Sequence, residues 1–200
     1  LVPQDHWHYH ECAKADSVSV ESVEAVINTA VWKRFCVRRD QVYQSVQEQS
    51  AYQKVDKMVP QVTSIAEKLG FEVKSGANEV LLLHGTSSAG AEKIAQQGFD
   101  PRLAGKGLYG PGVYFTTDFC KAAQYSREVD ETGCCCIIVA RVVLGNPYMA
   151  SGPMKTHKRP PLVEGTAQPH DSIIARPGIP KGGGKPQVHW EFVVTEQDVA

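Results

Sequence analysis

The stretch NEVLLLHGTSSAG, from Asn78 to Gly90, divides the chain into two parts of different character. Its four consecutive apolar residues, Val80–Leu83, predict a buried β-strand. His84, Gly85 and Thr86 follow at once, and these residue types at a strand end are typical of a binding site. An ordinary exit from strand to loop can use the same residues, so this stretch alone leaves both interpretations open.

The segments on either side of this stretch differ in periodicity. Upstream, an amphipathic helical pattern begins at Ser19 or Ser22 and continues in pieces to Gly70, a typical helix C-cap. Downstream, short helices alternate with β-rich runs such as GVYF, CCCIIVARVVLG and QVHWEFVVT. Because helices come first and strands dominate later, the order predicts an α+β fold rather than a doubly wound parallel sheet. We expect one domain over residues 16–200, preceded by an extension or linker over residues 1–15.

The bulk composition excludes some classes of function. The chain has 200 residues, of which 42% are hydrophobic and 22% charged, and its net charge is −1. This balance is ordinary for a globular domain and gives no electrostatic basis for binding nucleic acid or an anionic membrane. The sequence also has no apolar run of membrane-span length and no signal-peptide pattern. Since it starts with Leu1 rather than Met, we expect it to be part of a longer protein.

The cysteines and histidines do not form a recognisable metal motif. The six cysteines include no CxxC pair, and Cys134–Cys136 are adjacent, so in a strand they would point to alternate faces. We interpret them as buried thiols in a reducing, intracellular compartment, either cytoplasmic or nuclear. His6, His8 and His10 alternate and could share one strand face, but an edge strand or linker is the favoured interpretation. We expect no metal cofactor.

The glycine-rich segment AGKGLYGPG is not a standard phosphate-binding loop. It leads into the strand GVYF, whereas a Walker or dinucleotide-binding loop leads into a helix N-terminus. A nucleotide would therefore have to be held in another way.

Several motifs, in order, resemble one enzyme family. They are LLLHGTSSAGAEKIAQQGFD, YGPGVYFTTDFCKAAQYS, IIVARVVLGNPY, HDSI and WEFVVTEQDVA, with VINTAVWKRFCVRR upstream. Together they resemble the catalytic domain of the poly(ADP-ribose) polymerases, the diphtheria-toxin-like ADP-ribosyltransferases. The resemblance implies two packed, mainly antiparallel β-sheets with flanking helices, including N-terminal ones. It also implies NAD+ as a substrate and transfer of ADP-ribose to protein acceptors, self-modification included.

The same resemblance assigns site residues. It implies a catalytic triad of His84, Tyr114 and Glu191, and an NAD-binding set of His84, Gly85, Thr86, Tyr109, Tyr114, Tyr125 and Ser126. By this resemblance the triad histidine would bind the adenosine ribose, and the Gly85 backbone would pair with the nicotinamide amide. Two tyrosines, Tyr114 and Tyr125, would stack on the nicotinamide ring. A buried carboxylate in the apolar run WEFVV is costly unless partnered, which independently points to a function for Glu191.

Two departures from the family pattern keep alternatives open. Ala122 stands where the family often has a serine whose hydroxyl helps to hold the nicotinamide amide, so Ser126 or a water would have to substitute. The family usually continues past EQDVA into one more strand. The short N-terminal part favours mono- over poly-transfer. The alternatives are an inactive protein that binds NAD or ADP-ribose, and a transferase acting on nucleic-acid ends.

Overall fold

The computed structural model describes residues 19–49, 52–126, 134–178 and 187–200. The helices are α1 Thr29–Gln47, α2 Val55–Met58, α3 Ser64–Leu69, α4 Ser88–Gln97 and α5 Phe119–Ala123. The strands are β1 Glu79–Thr86, β2 Lys106–Gly107, β3 Gly110–Pro111, β4 Val113–Phe115, β5 Cys136–Val143, β6 Pro147–Ala150, β7 Ser172–Ala175 and β8 Glu191–Val194. The alternating histidines near the N-terminus lie outside the described ranges. Within those ranges no helix is both long and apolar enough to cross a membrane.

The predicted strand at Val80–Leu83 is confirmed as part of β1. It pairs antiparallel with β5 along its whole length, from Glu79 opposite Val143 to Thr86 opposite Cys136. The apolar residues in the first half of the strand are buried, whereas the side chains from Leu83 onwards are only partly buried. The strand therefore leaves the core at the histidine and glycine noted in the sequence.

A second sheet has the strand order β4-β8-β7-β6. Its β4–β8 and β7–β8 pairs are antiparallel, and only β6–β7 is parallel. An isolated bridge between Leu83 and Thr116 joins this sheet to the β1–β5 pair. The predicted α+β fold with mainly antiparallel sheets is confirmed.

The N-terminal helix starts later than the periodicity predicts. Residues 19–28 have no regular secondary structure, and α1 begins at Thr29, where the Asn28 side chain accepts a hydrogen bond from the Val31 N–H. The Asn28 amide also donates to the carbonyls of Ala95 and Gln96, which fixes the chain against the end of α4. The valines and isoleucine upstream are 63–91% exposed. β-Branched residues without a packing surface have little reason to become helical, so the cap, not the apolar spacing, sets the start.

One main hydrophobic core joins α1 to both sheets. Phe35 and Val46 of α1 pack with Leu82 of β1, Val142 of β5 and Phe192 of β8. This packing fixes β1 and β8 relative to each other, although they lie in separate sheets. The ends of these two strands therefore occupy defined positions at the edge of the core.

The ends of β6 and β7 and the start of β8 lie side by side in one row of the second sheet. The register sets Ala150, the last residue of β6, beside Ala175, the last residue of β7, and Ala175 opposite Glu191, the first residue of β8. With strands about 4.8 Å apart, Glu191 lies about 10 Å from Ala150 along this row. Loops that leave β6 and β7 therefore emerge at the same sheet end as Glu191.

Candidate active site

His84 is held in one tautomer by the backbone of β4. Its Nδ1 lies 2.8 Å from the Tyr114 carbonyl oxygen, which can only accept, so Nδ1 carries the proton. The ring packs edge-on against Phe99 and tilted against Phe115, and burial lowers the pKa of His84 against the opposing effect of the Tyr114 hydrogen bond. A neutral imidazole protonated at Nδ1 presents Nε2 as an acceptor, which suits a ligand hydroxyl group.

Gly85 lies where the two sheets separate. Leu83 and Thr116 exchange two backbone hydrogen bonds of 2.8 and 2.9 Å, and the same register would set Gly85 opposite Tyr114. No backbone bond joins Gly85 and Tyr114 in the described parts of the chain, and the Tyr114 carbonyl accepts instead from His84 Nδ1. Alternate residues of a strand direct their N–H and C=O to the same edge, so Gly85 points both groups into this split.

The absence of a side chain at Gly85 is required by α5. A Cβ atom there would stand 1.7 Å from the Ala122 carbonyl oxygen and 3.1 Å from Ser126 Oγ. Any other residue would displace the helix that follows β4. The close approach makes α5 the second wall of the split.

Thr86 ends β1 at the start of α4. The Ser87 side chain caps this helix by accepting from the Gly90 N–H at 3.1 Å. A Cβ atom on Gly90 would lie 2.3 Å from Thr86 Oγ1, so the threonine hydroxyl lies directly over the first turn of α4. The predicted ligands His84 and Thr86 thus lie on the two sides of Gly85 in sequence.

Tyr114 is fixed by the glycine loop that precedes it. Its hydroxyl donates to the Gly110 carbonyl at 2.7 Å and accepts from the Tyr109 N–H at 2.9 Å. A Cβ on Gly107 would stand 2.2 Å from the Tyr114 ring, so the loop backbone lies flat against that ring. These contacts leave the tyrosine a single orientation beside the split.

Tyr109 itself lies behind Tyr114 rather than on an exposed wall. It is 3% exposed and belongs to an apolar cluster with Met154, Ile173 and Val193. Burial raises the pKa of Tyr109 to about 12, and the charge of Glu191 adds to the rise. Its predicted contact with NAD stays a prediction.

Glu191 forms an ion pair that the sequence did not predict. Its Oε1 lies 2.9 Å from Lys121 Nζ, and both side chains are largely buried, with 8% and 17% exposed. The lysine lies on α5, four residues before Tyr125, and its Nζ is 5.5 Å from the centre of that ring. The i, i+4 spacing of Lys121 and Tyr125 was a partial signal, because this spacing at the end of a helix can bring the two side chains together.

The remaining predicted residues lie on or after α5. Tyr125 is 63% exposed. Ser126 is buried and donates its hydroxyl proton to the Cys136 carbonyl at 2.6 Å. That proton is therefore already committed, and the serine hydroxyl is left with only its acceptor capacity for a ligand. Ala122 is buried, and its carbonyl faces Gly85.

The electrostatics place the predicted residues in one neighbourhood. Burial raises the pKa of Tyr114, the hydrogen bond from Tyr109 opposes that rise, and the nearby Glu191 and Tyr125 add to it. Since Tyr125 lies next to Ser126 and Ser126 next to Gly85, the same neighbourhood includes the end of β1. The contacts thus bring His84, Gly85, Tyr114, Tyr125 and Glu191 into one neighbourhood, with Lys121 as an added member.

A second polar contact ties the start of α5 to β8. His189, 4% exposed in side chain, has Nδ1 3.5 Å from Asp118 Oδ2, and Thr116 Oγ1 donates to the Trp190 carbonyl at 2.8 Å. These contacts hold the two chain segments that carry Lys121 and Glu191. Within the described ranges no group of three or more His, Cys, Asp or Glu side chains is arranged to hold a metal ion.

Comparisons with known proteins agree on one family. The protein-family model of the poly(ADP-ribose) polymerase catalytic domain matches residues 8–176. This range includes β1, β4 and α5 but not β8. "Protein mono-ADP-ribosyltransferase PARP12" of Homo sapiens is 29% identical over 181 residues, covering 88% of this chain and 21% of that protein. The Mus musculus protein of the same name is 31% identical over 137 residues, covering 64% of this chain and 19% of that protein. The chain thus spans about a fifth of the length of these curated relatives.

Proposed function

Since the chain belongs to the family of poly(ADP-ribose) polymerase catalytic domains, we propose that it cleaves NAD+ and transfers ADP-ribose to protein acceptors. We propose transfer of single units rather than polymers, because both relatives are named as mono-ADP-ribosyltransferases.

The observation that carries this proposal is the split between β1 and β4. It offers a paired backbone donor and acceptor at Gly85, and Tyr114 and Tyr125 lie in the same neighbourhood. A primary carboxamide on a flat aromatic ring matches both features, because it can pair with one N–H and one C=O while the ring stacks on a tyrosine. Nicotinamide is such a group.

The chemistry needs little acid catalysis. In NAD+ the pyridine nitrogen of nicotinamide carries a positive charge. Nicotinamide therefore leaves as a neutral molecule and needs no proton from the protein. Bond breaking leaves positive charge on the ribose, as in glycoside hydrolysis. A carboxylate fixed beside the ribose stabilises that charge, and Glu191, held by Lys121, is the group suited to this role.

Lys121 has two effects on that carboxylate. It holds Glu191 in one position, which favours catalysis, and it neutralises part of the negative charge. A ribose hydroxyl that donates to Glu191 would share the carboxylate with the ammonium group. We therefore assign Lys121 as a positioning residue.

The acceptor completes the reaction. Its nucleophilic side chain forms a bond to the ribose carbon as the bond to nicotinamide breaks, and it releases its proton to solvent; Glu191 is proposed to polarise this side chain. His84 Nε2 and Thr86 Oγ1 are proposed to hold the adenosine ribose. We propose that the acceptors are proteins, including the chain itself, and that the reaction takes place inside the cell.

A second candidate function is NAD or ADP-ribose binding without turnover. It is favoured by one observation: Ala122 has no hydroxyl, and the hydroxyl proton of Ser126 is committed to Cys136. The side-chain donor that the family often provides for the nicotinamide amide is therefore missing from both positions. The loss of one such bond weakens binding by about 0.5–1.5 kcal/mol, which lowers affinity without preventing turnover.

Incubation with adenine-labelled NAD+ tests the proposal. We expect nicotinamide release above the uncatalysed rate, and label on protein as one discrete unit per site. A ladder of products would exclude transfer of single units. Release at the uncatalysed rate, together with measurable NAD+ binding by calorimetry, would establish the binding protein instead.

A further inference from the structure

The loop after β6 carries a concentration of positive charge. It contains the basic residues Lys155, Lys158 and Arg159 with His157 among them, and all four side chains are exposed. Within the described ranges none of the three charged side chains forms an ion pair. Since the chain as a whole has a net charge of −1, this loop differs locally from the rest of the surface.

The base of this basic loop is fixed to the candidate active site. Met154 is buried in the same apolar cluster as Tyr109, and its N–H donates to the Leu108 carbonyl at 2.8 Å. The His157 N–H donates to the Met154 carbonyl at 3.0 Å, which closes the turn. The His157 carbonyl packs on Gly110, the residue that accepts from the Tyr114 hydroxyl. The basic loop therefore lies directly on the segment that orients Tyr114.

The sheet register places the loop at the end that carries Glu191. The loop leaves β6 after Ala150, in the row that contains Ala175 and Glu191. Exposed Arg176 leaves β7 from the same row. The loop therefore starts about 10 Å from Glu191 along this row, and its turn at His157 packs on Gly110, in the segment that orients Tyr114.

We propose that residues 155–159 dock an acidic stretch of the protein acceptor next to the reacting side chain. The proposal rests on the proposed function, because it assumes that the acceptor is a protein. Three cations on one short turn match two or three carboxylates on an extended peptide. Nucleic acid is a poorer fit, because residues 151–160 contain no Phe, Tyr or Trp on which bases could stack and the chain has no broad basic surface.

A binding measurement tests the proposal without requiring turnover. The probes are a fluorescent peptide with several glutamates and the same peptide with glutamines, compared by anisotropy at low salt. We expect the glutamate peptide to bind the unmodified protein about tenfold more tightly. We expect Lys155→Glu, Lys158→Glu and Arg159→Glu together to abolish that preference. Raising the salt should weaken binding of the glutamate peptide only.

A charge-matched control separates a local site from an effect of net charge. The control variant combines Lys33→Glu, Lys68→Glu and Lys93→Glu, which replace exposed lysines on α1, α3 and α4. It changes the net charge of the protein by the same amount as the loop variant. This variant should retain most of the preference. Equal binding of both peptides, equal loss in the two variants, or tighter binding of a single-stranded RNA of equal charge would overturn the proposal.

Nicotinamide release from NAD+ without peptide keeps the two proposals distinguishable. The loop variant should release nicotinamide at the unmodified rate, because the side chains of Lys155, Lys158 and Arg159 are exposed and, within the described ranges, form no hydrogen bond or ion pair with the proposed donor residues. If neither the unmodified protein nor the variants release nicotinamide, the proposed function fails. The preference for the glutamate peptide then still tests whether residues 155–159 bind an acidic stretch. If the loop variant alone loses release, the loop supports the donor site and the docking proposal is wrong.

Discussion

Glu79 and Glu191 are both buried glutamates that open a strand, yet their surroundings differ. The Glu79 side chain accepts from Arg141 Nη1 at 2.6 Å and from the Lys74 N–H at 2.9 Å, with Arg39 Nη1 at 3.7 Å. Glu191 contacts one cation, Lys121, and in the described parts of the chain no other hydrogen bond or ion pair involves its side chain. The first carboxylate is saturated by the fold, whereas the second retains acceptor capacity beside the split.

This difference qualifies an argument made from the sequence. The cost of burying a carboxylate in an apolar strand pointed to a function for Glu191, but Glu79 opens the apolar run EVLLL in the same way. Burial of a charge therefore indicates only that a partner exists. The number of partners, which depends on the tertiary structure, separates a structural carboxylate from one able to bind a ligand.

Glu191→Gln should produce the largest effect. Loss of the negative charge next to the ribose should lower kcat for nicotinamide release by roughly 10²–10³. The melting temperature should fall less than for the same change at Glu79, since Glu191 pairs with one cation in the described parts of the chain and glutamine can still accept from Lys121. Nicotinamide release and thermal unfolding measured on the same preparation provide the check, and an unchanged rate would contradict the assigned role.

Glu79→Gln should have the opposite profile. The neutral amide leaves Arg141 without its nearest counter-charge, and we expect a loss of about 2 kcal/mol in the free energy of unfolding. Activity per folded molecule should be unchanged, because Glu79 lies at the far end of β1 from His84. Urea unfolding and nicotinamide release would test this. A fall in kcat at unchanged stability would show that the two glutamates are not distinct in role.

The pH dependence of His84 should give a smaller effect, because it involves one titrating group. Burial lowers its pKa below the usual value of about 6.5, so the unfolded chain takes up the proton first as pH falls. The full unfolding free energy is therefore present above the pKa of His84 in the unfolded chain. It declines as the pH falls from that value to the lowered pKa of the folded protein. His84→Gln, which can still donate to the Tyr114 carbonyl, should show a shallower decline in unfolding free energy. Equal slopes in the two proteins would exclude a buried neutral histidine.

Ala122→Ser should have the smallest effect. A hydroxyl at this position supplies the missing donor, and a net hydrogen bond of about 0.5–1.5 kcal/mol lowers the KM for NAD+ about two- to tenfold. Ala123→Ser, on the same helix but less buried, is the matched control. If both variants change KM equally, the effect comes from the helix and not from a contact with nicotinamide.

Much of the candidate site was predictable because its residues occur in local patterns. The strand at Val80–Leu83 and the helix that ends before Gly98 follow from periodicity and capping, and both are confirmed. The start of α1 was predicted wrongly, because spacing alone cannot show that residues 19–28 lack a packing surface. The ion pair of Lys121 with Glu191 was missed, since its members lie 70 positions apart in the sequence.

The family, the fold class and the succession of helices and strands along the chain therefore follow from the sequence, because periodicity, turn residues and short motifs are properties of neighbouring residues. The tertiary structure alone shows that no β1–β4 backbone bond is formed beyond Leu83 in the described residues, that Ser126 donates its proton to the Cys136 carbonyl, and that among the described residues Glu191 pairs with one cation. Each of these depends on contacts between segments distant in the sequence. Such contacts are set by the packing of the whole core, which no local pattern records.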